Sequence, residues 1–216
     1  YHYDTNSVHA RAINNCRGAS IRDAWVDIFT TLKAQGEAPT LHILDNECSQ
    51  DIKDAFTKHK VTFKRVPPHI HRRNATERAI RMYKNHLIAR LCTKDPNFPM
   101  QEWDRLLPQC SLTLNSLRAS RRNPFLSAHD AVFGVFNFQA TPLAPPGTKV
   151  QVHLKPEQVA TFGTHSIDGW YVGPSMNHYY CVKYYFSRTR TIRDCDTVTF
   201  FPTTLPFHAI KLDDLL

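Results

Sequence analysis

The sequence predicts an α/β sandwich followed by a small antiparallel barrel, and three observations carry the prediction. Short apolar runs alternate with helix-period segments through about residue 92. The stretch Thr141-Pro142-Leu143-Ala144-Pro145-Pro146-Gly147 then breaks both regular structures. Everything beyond it is rich in aromatic and β-branched residues. A chain of 216 residues, 42% of them hydrophobic, is large enough for a medium core and a second, smaller one. Fourteen prolines against seven glycines suit a folded protein with defined breaks.

Residues 1 to 15 read as a hairpin: a strand, a turn at Asp4-Thr5-Asn6-Ser7, and a second strand from Val8 to Ile13. From Ser20 to Lys33, Ile21, Trp25, Ile28, Phe29 and Leu32 recur at helical spacing, and Gly36 is a stop signal. Leu41-His42-Ile43-Leu44 is a short buried-type strand with Asp45 at its exit. Ser49 to His59 suits a helix capped by Ser49, and Val61 to Val66 alternates as a strand until Pro67-Pro68 ends it. Asn74 caps a helix running to about Cys92. Helical patterns continue at Met100 to Leu117, interrupted by Pro108, and at Ser127 to Phe133 before Gly134. After the break, strands are expected at Lys149 to Leu154, Gly169 to Gly173, Tyr179 to Phe186 and Thr191 to Phe201.

A formal charge of +8 and a pI near 9.3 favour a polyanionic partner, nucleic acid first and an acidic membrane surface second. The bases are concentrated between Lys58 and Arg90, where Glu77 is the only acid, and Arg118, Arg121 and Arg122 form a second knot. Six cysteines without a C-x-x-C pair argue against a zinc module or a disulfide framework, so a reducing compartment is the expectation. His69-x-His71, with no cysteine pair nearby, reads as two rim histidines. No run approaches the roughly 18 apolar residues of a membrane span. The first residues, Tyr1-His2-Tyr3-Asp4, are no signal peptide, and the expectation is a chain that begins inside a larger polypeptide.

The carboxylates supply the candidate chemistry. Phosphoryl transfer needs both the attacking and the leaving oxygen stabilised, which two divalent ions held by nearby carboxylates can do. Asp45 leaves a strand and Glu77 opens a basic helix, with a helix, a strand and a turn between them. Each also has a structural reading. Asp45-Asn46 is ordinary turn chemistry, and Glu77 sits in a capping-box position behind Asn74, one turn before Arg81. On a helical projection Ala79, Ile80, Tyr83, Leu87 and Leu91 form an apolar face, with Glu77, Arg81 and Lys84 in line along its edge. Such a stripe is either a solvated surface with charge pairs or a helix laid against a phosphate backbone.

Leu44-Asp45-Asn46-Glu47, together with Pro67-Pro68-His69 through Asn74-Ala75-Thr76-Glu77-Arg78, resembles the second and third acidic motifs of retroelement integrases. The best match is the copia-type (Pseudoviridae) retrotransposon integrase, part of a Gag-Pol polyprotein. Asn123-Pro124 through Gly134 resembles the helix that follows that core. The resemblance implies a ribonuclease-H-like α/β core over 1–92, connecting helices completing it over 93–140, a small Src-homology-3-like (SH3-like) barrel over 147–202, and a tail over 203–216. It implies Asp45 and Glu77 as catalytic, metal-binding carboxylates for two Mg²⁺ or Mn²⁺ ions. Arg73, Asn74, Arg78, Arg81 and Lys84 become DNA-binding residues. The implied activity is DNA integration, with 3′-end processing followed by joining of element 3′ ends to target DNA. The implied partners are element ends, target DNA and further copies of the enzyme, with no zinc and no membrane. The implied location is intracellular, first in cytoplasm or a virus-like particle and nuclear at integration.

The family's first aspartate, on the central strand, has no counterpart among these residues. Asp4 lies in the expected turn and does not take that role. The missing aspartate is expected about 15–25 residues before Tyr1, so that the core lacks its first strand and the isolated chain is inactive. The family's His-His-Cys-Cys zinc module is also absent from the sequence. Two other expectations stay open: a non-catalytic nucleic-acid-binding relic or assembly module, and a nuclease on the same fold. Tyr179, Tyr180, Tyr184 and Tyr185 are candidates for base stacking, with half of them expected in the core.

Overall fold

Periodicity places the first helix well. In the computed structural model, which describes residues 1–44, 48–66, 75–155, 157, 159 and 161–202, α1 spans Gly18–Ala34 and buries Phe29 and Leu32. Helix α2, Gln50–His59, buries Ile52, Ala55 and Phe56, and Ile52 and Phe56 meet Phe29 and Val61 in one core cluster. Trp25 stacks on Phe29 with ring centroids 5.0 Å apart and meets the edge of Phe56 at 4.8 Å. Such contacts add to the area that aromatics remove from water. Lys60 takes the left-handed conformation at the end of α2 (φ 58°) and turns the chain back. Strands β1, Leu41–Leu44, and β2, Thr62–Arg65, consequently run parallel, in register from Leu41 opposite Thr62 to Leu44 opposite Arg65. Helix α2 supplies the crossover that parallel strands require.

The second cluster of this unit is built on α3, Ala75–Cys92, and α4, Leu107–Ser116. Ala79 and Tyr83 pack with Val8, Leu107, Cys110 and Leu114. The Tyr83 hydroxyl reaches the Leu107 carbonyl and Ser111 Oγ, so its buried oxygen is partnered. A 3₁₀ helix, Met100–Leu106, precedes α4, and a short α5, Asp130–Phe133, follows it. Pro108 sits in the first turn of α4, where no intrahelical N–H is lost, so the expected interruption is a change of helix type before it.

Four expectations are corrected here. The hairpin over residues 1–15 reduces to a single bridge, His2 to Ser7, around a turn. Side chains take the place of a second strand: buried Thr5 and Ser7 bond each other at 2.8 Å, and the Asn115 amide serves both backbone groups of Val8. Ser49 holds the N-cap position of α2, but its hydroxyl makes no cap hydrogen bond. Strand β2 does not alternate, because all four of its residues are exposed. Ile80 is 48% exposed rather than on the buried face of α3, which Ala79 and Tyr83 occupy with Leu87 packed beside them.

The chain divides into two compact units, Tyr1–Ile88 with Met100–Gln139, and Ala89–Pro99 with Ala140–Leu216. The second unit is a five-stranded antiparallel sheet: β3 Lys149–His153, β4 Ser166–Pro174, β5 Val182–Phe186, β6 Thr191–Cys195 and β7 Val198–Phe201. Its order is β6-β5-β4-β3-β7, so the first strand lies between the second and the fifth, the connectivity of an SH3-like barrel. Val150, Val152, Tyr171, Val182 and Tyr184 form its core. The run from Thr191 to Phe201 is two strands, since β6 pairs with β5 while β7 pairs with β3. Two glycines are fixed by geometry. Gly147 has φ 78°, and a Cβ there meets the Lys94 Cβ at 2.7 Å. A Cβ on Gly169 lies 2.8 Å from the Tyr184 ring and 2.9 Å from the Tyr185 carbonyl oxygen. Tyr184 and Tyr185 are buried while Tyr179 and Tyr180 are exposed, so half of the tyrosine group is core.

Candidate nucleic-acid site

Helix α3 carries the described part of the expected site. With Ala79 and Tyr83 turned into the core, Glu77, Arg78, Arg81 and Lys84 are all exposed. Positions 77, 81 and 84 fall one helical turn apart, so an acid and two bases form a line on the solvent side. Glu77 stands in the first turn, where the partial positive charge of the helix terminus favours a carboxylate. The exposed Met82 and Ile88 lie among these charges and give the surface apolar as well as ionic character. Asp45, Arg73 and Asn74 lie outside the described residues, as do His69 and His71.

Strand β1, which leads into residue 45, borders a cleft of about 560 Å³. Leu41, His42 and Ile43 line one side of it, and Ala75 and Thr76, immediately before Glu77, line another. Tyr1 to Asp4, His9, Trp25 and Phe29 complete much of the wall. Among the described residues β1 pairs only with β2, and Ile43 is 56% exposed. Burial holds the imidazoles of His9 and His42 down to about 4, so both are neutral at neutral pH. The cleft wall is therefore largely apolar and uncharged, whereas the outer face of α3 is ionic.

The donor set bears directly on a metal. The Glu77 carboxylate is a hard oxygen donor of the kind Mg²⁺ takes. Among the described residues, however, no group of three or more His, Cys, Asp or Glu side chains is placed to hold an ion. A complete metal site is not assembled from the described residues.

A second basic group comes into the same unit from after α4. Arg118 and Arg121 line a small pocket with Arg78, Ala75, Ala79, Met82 and Tyr1. The knot at 118–122, in the sequence only a cluster of charge, thus meets α3. The rings of Tyr1 and Tyr3 hold these guanidiniums: the Arg121 Cζ lies 3.9 Å from the Tyr3 ring centroid. Arg122 is directed elsewhere, onto the Glu37 carboxylate.

No family model and no curated protein matches the chain. Among solved structures, a chain of the cryo-EM structure of simian T-cell lymphotropic virus intasome in complex with PP2A regulatory subunit B56 gamma is similar to it at 15% identity and a TM-score of 0.45, covering 94% of this chain and 72% of that one.

Proposed function

We propose that the chain is part of a DNA-integrating polynucleotidyl transferase of the copia-type retrotransposon class, its first unit a ribonuclease-H-like core. The observation that carries this reading is the exposed line of Glu77, Arg81 and Lys84 on α3. The same helix begins at a cleft that it shares with the strand leading into Asp45. A basic helix face with one acid at its head suits a phosphodiester beside a cation. Asp45 and Glu77 would hold Mg²⁺ or Mn²⁺, and the ions when bound supply Lewis acidity to the attacking and leaving oxygens. Arg78, Arg81 and Lys84 position phosphates, and Arg73 and Asn74 stand on the substrate side. In this reading a further carboxylate completes the set. The partners are element DNA ends, target DNA and further copies of the enzyme, met in the nucleus.

The test is duplex binding by the chain as it stands, followed by fluorescence anisotropy across a salt series. Basic contacts to phosphate predict an affinity that falls linearly on a log–log plot. The double variant Arg81→Gln/Lys84→Gln should lower the slope by about two, roughly one per lost phosphate contact. Equal affinity for the wild type and the double variant removes α3 as the DNA-facing element. DNA binding and cleavage without joining, in a protein with all its carboxylates, favour a nuclease. Binding without either favours an assembly module.

A further inference from the structure

The pocket beside the first turn of α3 has a volume of about 190 Å³ and is lined by three guanidinium-bearing residues, Arg78, Arg118 and Arg121. None of the three makes an ion pair with a carboxylate among the described residues. Their neighbour Arg122, by contrast, is neutralised by Glu37. Like charges gathered without a counter-charge repel one another, and burial adds to the cost for Arg118. An arrangement of this kind is relieved by an anion.

The guanidiniums are also held in place. Arg118 donates from Nε to the Asn6 carbonyl at 2.8 Å and from a terminal nitrogen to the Asn6 side-chain oxygen. The Tyr1 hydroxyl donates to that same oxygen at 2.9 Å, and the Asn6 amide donates back to the Ala119 carbonyl. The Arg121 guanidinium lies over the Tyr3 ring at 3.9 Å and within 5.8 Å of Tyr1, a cation–π contact that fixes its plane and leaves its N–H edge for an acceptor. Ala75 and Ala79, small residues at the start of the 18-residue helix α3, line the remaining side.

We propose that Arg78, Arg118 and Arg121 form a pocket for one phosphate of a nucleic-acid backbone, seated against the first turn of α3. The proposal rests on the DNA-binding reading of that helix and extends it, because two of the three bases come from the loop after α4. Planar guanidiniums match tetrahedral oxyanions through paired N–H groups, which a lysine in the same position does not reproduce. Arg78 lies on the same helix as Arg81 and Lys84, so a backbone held in the pocket continues onto the exposed line.

Two measurements on the full chain test it. Arg121→Gln and Arg78→Gln are the informative variants, since both residues are exposed. Arg118 is left intact because it anchors the Asn6 turn. In anisotropy titrations with a labelled duplex, the double variant should bind about tenfold more weakly at low salt, with the log–log salt slope lower by about one to two. Arg121→Lys should recover only part of that loss. In thermal unfolding, inorganic phosphate at matched ionic strength should raise the midpoint of the wild type and not that of the double variant. A double variant with wild-type duplex affinity and slope overturns the pocket and Arg78 as a phosphate contact, while the proposed function still stands on Arg81 and Lys84. A phosphate-dependent shift in a wild type that does not bind duplex keeps an oxyanion pocket but rejects the nucleic-acid backbone as its ligand, and the proposed function with it. Neither binding nor shift overturns both.

Discussion

Asn115 offers the sharpest test of how the first unit is held together. It sits near the end of α4, 2% exposed, 107 positions from Val8 in the chain. Its side-chain oxygen accepts the Val8 N–H at 2.8 Å, and its amide nitrogen donates to the Val8 carbonyl at 2.9 Å. A side-chain amide thereby does for the segment after the first turn what a neighbouring strand does in a sheet. Asn115→Ala removes both partners. Val8 is itself in the core, so water does not replace them. A buried polar group left without a partner costs about 1–3 kcal/mol, and two of them about 2–6 kcal/mol, a large share of the roughly 5–15 kcal/mol that typically holds a domain. Asn115→Asp keeps an acceptor for the N–H but sets a carboxylate oxygen against the Val8 carbonyl, and should cost at least as much. The assay is urea unfolding followed by circular dichroism, with hydrogen exchange of the Val8 amide as a local probe. A loss below about 0.5 kcal/mol, with the Val8 amide still protected, refutes the reasoning.

Two further outcomes concern stability. His9 and His42 are held near 4 in the folded chain against an ordinary 6.5, chiefly by burial. The unfolded chain therefore takes up protons first as pH falls, so stability is fully present above about pH 6.5 and drains away toward pH 4. Between pH 7 and pH 5 the loss should be on the order of 1–2 kcal/mol per histidine, visible as a lower urea midpoint and reduced in His42→Gln; a flat profile contradicts the burial. Gly147→Ala meets both a left-handed backbone and the Lys94 Cβ at 2.7 Å, and should cost about 1–3 kcal/mol in the second unit. Trp170 lies in that unit and reports its unfolding by fluorescence.

The elements that repeat locally were legible in the sequence, and the contacts between distant segments were not. Helices α1 and α3 follow from apolar spacing, and β1 and α2 from short runs bounded by turn and cap residues, although β1 is not the buried strand its apolar run suggested, since Leu41 and Ile43 are exposed. The sheet of the second unit was visible in its aromatic and β-branched runs, but the split between β6 and β7 depends on which neighbour each strand joins. The first 15 residues misled because alternating residues state a preference for extended backbone, not the partner that satisfies it. The partner there is a side chain from the far end of the unit. Ile80 misled for a related reason: the angular edge of an apolar stripe is decided by what packs against it, and Ala79 and Tyr83 take that contact. For the site, the charged line on α3 could be read from helical spacing alone. The convergence of Arg118 and Arg121 on Arg78 could not, since it depends on how the loop after α4 meets the turn at Tyr1 to Asn6.

The most direct measurement of the central claim is joining of a labelled oligonucleotide 3′ end to plasmid DNA in Mg²⁺. The protein to use is the full gene product that contains these residues. Metal-dependent joined product is expected, disappearing in Asp45→Asn and in Glu77→Gln while both variants retain duplex binding. Undiminished joining by Glu77→Gln contradicts it.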